Sequence, residues 1–131
     1  MLSKTHNRII FGAFIGAFGG SSFILSIFPI AMGLLFDQLS GNALIETLYY
    51  TLHIALLWGI GGAITGWLGK MRDGAAIMGL CGIIAGVIVS LALLAQPDTG
   101  TILVLAGALV GLAYGIPAGL LVGGALRRPV E

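Results

Sequence analysis

The segment ETLYYTLH, residues 46–53, holds a carboxylate, two phenols and an imidazole within eight positions. On a helix turning 100° per residue, Glu46, Tyr49, Tyr50 and His53 share one side, with Thr47 and Thr51 beside them. Leu48, Leu52, Ala55 and Leu56 form the other side. Such a set can pass protons between a carboxylate and an imidazole, hold a ligand, or offer one neutral histidine as the axial ligand of a haem or chlorin. A plainer account covers most of it. A glutamate in the first turn of a helix is favoured by the helix dipole, and tyrosines suit the aromatic belt of a membrane surface. His53 is the exception, because it falls about ten residues into an apolar run, where an ionisable group is costly. As a packing residue it would donate to a carbonyl and accept from a tyrosine.

The elements that carry these residues follow from composition. The 131-residue chain is 58% hydrophobic and 8% charged, against roughly 25% charged in a soluble domain. Four apolar runs, 9–36, 43–68, 74–96 and 101–126, reach the ~18 residues needed to cross a bilayer. The connectors DQLSGN, GKMRD and PDTG are short and turn-like. The prediction is an all-α integral membrane protein: a single domain over 1–131, with four transmembrane helices in two short-looped hairpins. The first run extends well past the h-region of a signal peptide, so it is read as an uncleaved span.

Charge sets the expected orientation. Lys4, Arg8, Lys70, Arg72, Arg127 and Arg128 all fall on one side of this arrangement, while Asp37, Glu46 and Asp98 fall on the other. By the positive-inside rule both termini and the middle loop are cytoplasmic, in a multi-pass protein of a bacterial-type inner membrane.

Glycine spacing points to how the helices meet. Gly107, Gly111, Gly115, Gly119 and Gly123 recur at every fourth position, as do Gly12, Gly16 and Gly20. Small residues at this spacing let helix backbones approach closely in lipid. These stripes are predicted to serve glycine-zipper packing within the bundle or an oligomer face. Pro29 and Pro117 interrupt the first and fourth runs, and a kink or break is expected near Pro29 because 28 residues make a helix of about 42 Å. Residues 55–72 also align without a gap on 111–128, bringing Trp58 onto Tyr114, Gly59 onto Gly115 and Arg72 onto Arg128. A duplicated hairpin would produce that match.

Few chemical classes are left open. Cys81 is the single cysteine, which precludes an intrachain disulfide and suits a buried packing role. No GxSxG, HExxH or Walker sequence is present, so neither an enzyme nor a metal or cofactor site is predicted. A net charge of +1 without a basic soluble surface argues against nucleic acid. Small multidrug transporters carry an acid in their first span, and this first span has none. The expected function is a non-catalytic structural or accessory membrane subunit. Its partners are then the lipid bilayer and, through glycine-rich helix faces, itself or other membrane proteins. The alternative is a small transporter or channel, with or without proton linkage, with Glu46, Tyr49, Tyr50 and His53 as the outer half of a polar path.

Overall fold

The computed structural model of the chain describes residues 4–36, 41–93 and 100–126. These form four helices: α1 (Lys4–Phe36), α2 (Gly41–Leu68), α3 (Met71–Leu93) and α4 (Thr101–Ala125). Each contains a stretch long and apolar enough to cross a membrane, namely Thr5–Ile27, Thr47–Leu68, Met71–Ala92 and Thr101–Ala125. The described residues are thus all-helical in their regular structure, with the features of a multi-pass membrane protein. The residues at the far end of the expected third span, 94–96, lie outside the described part.

The sequence stops α2 by a specific device. Gly69 has a φ of 64°, in the left-handed region that only glycine enters freely, and its N–H donates to the Thr65 carbonyl at 2.8 Å. One residue later the chain restarts as α3, with the Gly74 N–H bonded to the Lys70 carbonyl at 3.0 Å. The connection between α2 and α3 is therefore two residues, and it holds these helices side by side.

α1 packs along α2, and α3 along α4, more closely than any other pair of helices. Glycines stand where these backbones come closest. A Cβ on Gly12 would collide with the Gly62 carbonyl, and one on Gly62 with the Gly12 carbonyl. Gly82 and Gly111 stand in the same reciprocal relation, and so do Gly86 and Gly107. Moreover, both pairs of helices use one register. Arg8 beside Gly66, Gly12 against Gly62 and Gly16 against Trp58 recur as Lys70 beside Gly123, Gly74 against Gly119 and Met78 against Gly115. The gapless alignment of 55–72 on 111–128 is one residue out from this register, since it sets Gly62 on Ala118 instead of Gly119.

The two pairs meet mainly where α2 faces α3. Their shared core is Phe23, Ile24, Ile54, Trp58, Met78, Cys81, Ala85 and Val89, with Tyr50, Leu57 and Ile77 packed against it. Trp58 and Ile24 are fully buried. Phe23 stacks on Trp58 with ring centroids 6.0 Å apart, and Tyr114 of α4 tilts against both rings.

α1 is helical without interruption through Pro29, so the break expected there does not occur. Proline removes one donor from the ladder but supplies a helical φ, and in lipid the neighbouring turns have no other way to satisfy their own backbone groups. Its 33 residues span about 50 Å, against about 35 Å for the 23 residues of α3. Because Arg8 and Gly66 sit level with the start of α3, the extra length of α1 lies at the opposite end.

Candidate functional site

α2 carries the residues singled out for chemistry, and packing divides them. Thr47, Ile54 and Trp58 are buried, Tyr50 and Thr51 are half-buried, and Tyr49 and His53 are exposed together with Leu48, Leu52 and Leu56. The expected split of this helix into a polar face and an opposite apolar face is therefore corrected: Leu56, seven residues after Tyr49 and three after His53, lies on their side and is exposed with them. α1 and α3 bear on the side of Ile54 and Trp58, which cuts through the polar stripe instead of taking one half of it. Glu46 lies on α2, and its side chain is outside the described part of the structure.

His53 and Tyr49 form a local unit. The His53 Nδ1 lies 2.8 Å from the Tyr49 carbonyl oxygen, one turn back on the same helix. A carbonyl only accepts, so Nδ1 carries the proton, and Nε2 is the acceptor in the neutral form of the ring. The Tyr49 ring leans over the imidazole at a centroid distance of 4.4 Å and meets Tyr50 edge-on at 5.5 Å. Depth follows from the neighbouring helix: Cys81 is level with Leu57, its Sγ 3.9 Å from the Leu57 carbonyl oxygen. His53 then stands level with Ala85, two turns or about 12 Å short of the end of α3.

The hydroxyls of Thr51, Thr65, Ser21 and Ser90 are satisfied by backbone, whereas the buried Trp58 Nε1–H has no partner among the described residues. Thr65 Oγ1 donates to the Gly61 carbonyl at 2.9 Å, Thr51 to that of Thr47 at 2.7 Å, and Ser21 to that of Ala17 at 2.9 Å. Ser90 reaches across to the Leu103 carbonyl of α4 at 3.0 Å. Thr65, Ser90 and His53 are thus not brought together, and Ser26 is exposed on α1. Cavities border the helices among the described residues. One of ≈ 400 Å³ lies between α1 and α2, floored by Ala13, Ala17, Ala55, Gly59 and Ala63, and one of ≈ 380 Å³ lies between α3 and α4. The third, ≈ 130 Å³, is bounded by Phe23, Val89, Ser90 and Leu103. None of these three is lined by Tyr49, Tyr50 or His53. Among the described residues, no three His, Cys, Asp or Glu side chains gather as a metal site.

The predicted glycine positions all lie against a neighbouring helix of the same chain. Gly12, Gly16 and Gly20 abut α2, and Gly107, Gly111, Gly115, Gly119 and Gly123 abut α3. Cys81 is buried and free.

Two links between the helix pairs went unnoticed in the sequence. Ser22 of α1 and Tyr114 of α4 share a hydrogen bond of 2.8 Å between their hydroxyls. Arg8 of α1 donates from Nε to the Leu126 carbonyl at 2.9 Å, just past the end of α4. A guanidinium at a helix C-terminus both caps an orphan carbonyl and opposes the negative end of the dipole. Tyr114 could have been suspected, since a phenol deep in an apolar run requires a partner. Arg8 could not, because its charge was already accounted for by orientation.

No family model, no curated protein and no solved structure matches the chain.

Proposed function

We propose that the chain is a non-catalytic integral membrane subunit, built as a glycine-zipper four-helix bundle with both termini on the cytoplasmic side of a cell membrane. The observation that carries this reading is the filling of the bundle centre. Where the two helix pairs face each other stand Phe23, Ile24, Ile54, Trp58 and Met78, all buried. Of the polar groups near them, Thr65 and Ser90 are turned onto helix carbonyls, Ser22 and Tyr114 bond each other, and the Trp58 Nε1–H has no partner among the described residues. A conducting or transporting bundle needs polar groups that converge on a path through its width, and the described groups form no such row. The charge asymmetry supports the cytoplasmic termini, and the reciprocal glycine contacts support the zipper description.

The outward position of His53 weighs against the proton-linked path, which needed it inside. The test is isolation in mild detergent with identification of every co-purifying protein, beside a proton-flux assay on vesicles containing the purified chain. Recovery as an oligomer or complex without flux is the expected result. Flux abolished by a Glu46→Gln/His53→Ala double variant would overturn the reading.

A further inference from the structure

We propose that the outward face of α2 seats α2 of a second copy of this chain, related by a two-fold axis along the membrane normal. Tyr49 of each copy then donates its hydroxyl to Nε2 of the partner's His53. This rests on the reading of the chain as a membrane subunit, and it names both the partner and the surface.

The starting point is an unspent donor and an unspent acceptor on one exposed face. His53 is exposed, its Nδ1–H is committed to the Tyr49 carbonyl, and Nε2 is left as an acceptor. Tyr49 is 60% exposed, and its hydroxyl makes no hydrogen bond among the described residues. The imidazole stands about 12 Å short of the end of α3, and Tyr49 one turn nearer that end. A polar group facing hydrocarbon at that depth stays only if something satisfies it.

One donor and one acceptor on a single face are self-complementary under a two-fold rotation, because the same patch on a second copy presents the matching pair. Copies inserted with the same orientation have parallel α2 helices, so the rotation axis runs along the membrane normal. Below the polar pair the same face continues as Leu56, Ile60, Ala63 and Trp67, at alternating three- and four-residue steps. That is the spacing of a seam between two parallel helices. Ala63 and Gly59 leave room beside the seam, where the ≈ 400 Å³ groove between α1 and α2 opens. α1 also exposes large apolar residues, Phe11, Phe14 and Phe18, and the Ser26 hydroxyl, but carries no imidazole beside them. Apolar exposure alone suits lipid; the polar pair is what selects α2.

The test is cross-linking of the full chain in phospholipid vesicles. With Cys81 replaced by Ala, Leu56→Cys should give a disulfide-linked dimer on mild oxidation, and Phe18→Cys on α1 should not. Tyr49→Phe and His53→Leu, each added to Leu56→Cys, should weaken dimerisation by about tenfold, since either change removes both symmetric hydrogen bonds. The double variant should be no weaker than either single one. A monomer at every protein-to-lipid ratio, or equal cross-linking from positions 18 and 56, would overturn the proposal. In native membranes, cross-linking of position 56 only to a different protein would also overturn it. That last outcome would leave the membrane-subunit reading standing, whereas vesicle proton flux would remove it whatever the oligomeric state.

Discussion

Gly12 and Gly62 meet backbone to backbone, each with its carbonyl group where a Cβ on the other would stand. Neither position tolerates even a methyl group without moving a helix. Gly12→Ala or Gly62→Ala is expected to destabilise the protein by about 1–3 kcal/mol, the range for overpacking a close contact. Gly124→Ala is the control, because its nearest obstacle is the flexible Met71 sulfur at 4.0 Å; there the better helix propensity of alanine is expected to leave stability unchanged or slightly raised. Denaturation by increasing mole fraction of a harsh detergent, followed by circular dichroism, separates the two classes.

Arg8 ties the first helix to the last carbonyl past the fourth. Hydrogen bonds from charged donors contribute roughly 1.5–3 kcal/mol, and partial exposure at this site lowers the expectation to about 1 kcal/mol for Arg8→Gln. The local consequence is more specific than the global one. Amide hydrogen exchange in the last turn of α4, around Val122 and Leu126, should speed up in the variant while exchange around Gly107 stays unchanged. Uniform acceleration along α4 would count against a latch at its end.

Ser22 and Tyr114 join α1 to α4, which otherwise touch sparingly. Tyr114→Phe deletes the hydroxyl and retains the ring contacts with Phe23 and Trp58. Interhelical hydrogen bonds in membranes average about 0.6 kcal/mol and reach about 1.7, so a loss in that range is expected. Ser22→Ala should cost a similar amount, and the double variant little more than either. Additive losses would mean that the two hydroxyls act through other groups.

The turn at Gly69 gives a prediction confined to backbone. At φ 64° a side chain collides with the following carbonyl, which costs roughly 1–2 kcal/mol. Gly69→Ala is expected to lose about that much, and Gly69→Asn less, because asparagine enters the left-handed region more readily. Equal losses in thermal unfolding would show that a side chain at this position acts by something other than conformation.

What the sequence made legible, and what it did not, can be traced to the same geometry. Apolar run length specifies the four helices, and fourfold glycine spacing marks the stripes along which backbones approach. A helical wheel, however, says which residues share a side and not where the neighbouring helices will bear. Tyr50 and Tyr49 stand 100° apart on the wheel, within the one polar side, yet packing half-buries the first and leaves the second exposed. The internal alignment failed by one residue for a related reason. It was anchored on matching aromatics, Trp58 and Tyr114, whereas the contacts equate Trp58 with Gly115. Side-chain likeness and backbone register are independent quantities, and only the second determines how a hairpin packs. Of the kink or break expected at Pro29 the break does not occur, since the loss of one donor leaves the rest of the helical ladder in place.

Trp58 is where packing and polarity conflict most sharply. It is fully buried among Phe23, Ile54 and Tyr114, and its Nε1–H has no acceptor among the described residues. The ring contributes as a large apolar body, while the buried donor has lost its water without recompense, at a cost of about 1–3 kcal/mol. Trp58→Phe therefore trades a smaller ring for removal of that orphaned donor, and the two effects oppose each other. The expected net change is within about 1 kcal/mol of the wild type. Trp58→Ala removes the body as well and should cost about 3–5 kcal/mol. If Trp58→Phe proves as damaging as Trp58→Ala in detergent-induced unfolding, the indole N–H must have a partner that stabilises the bundle, such as a water molecule held between α1, α2 and α4.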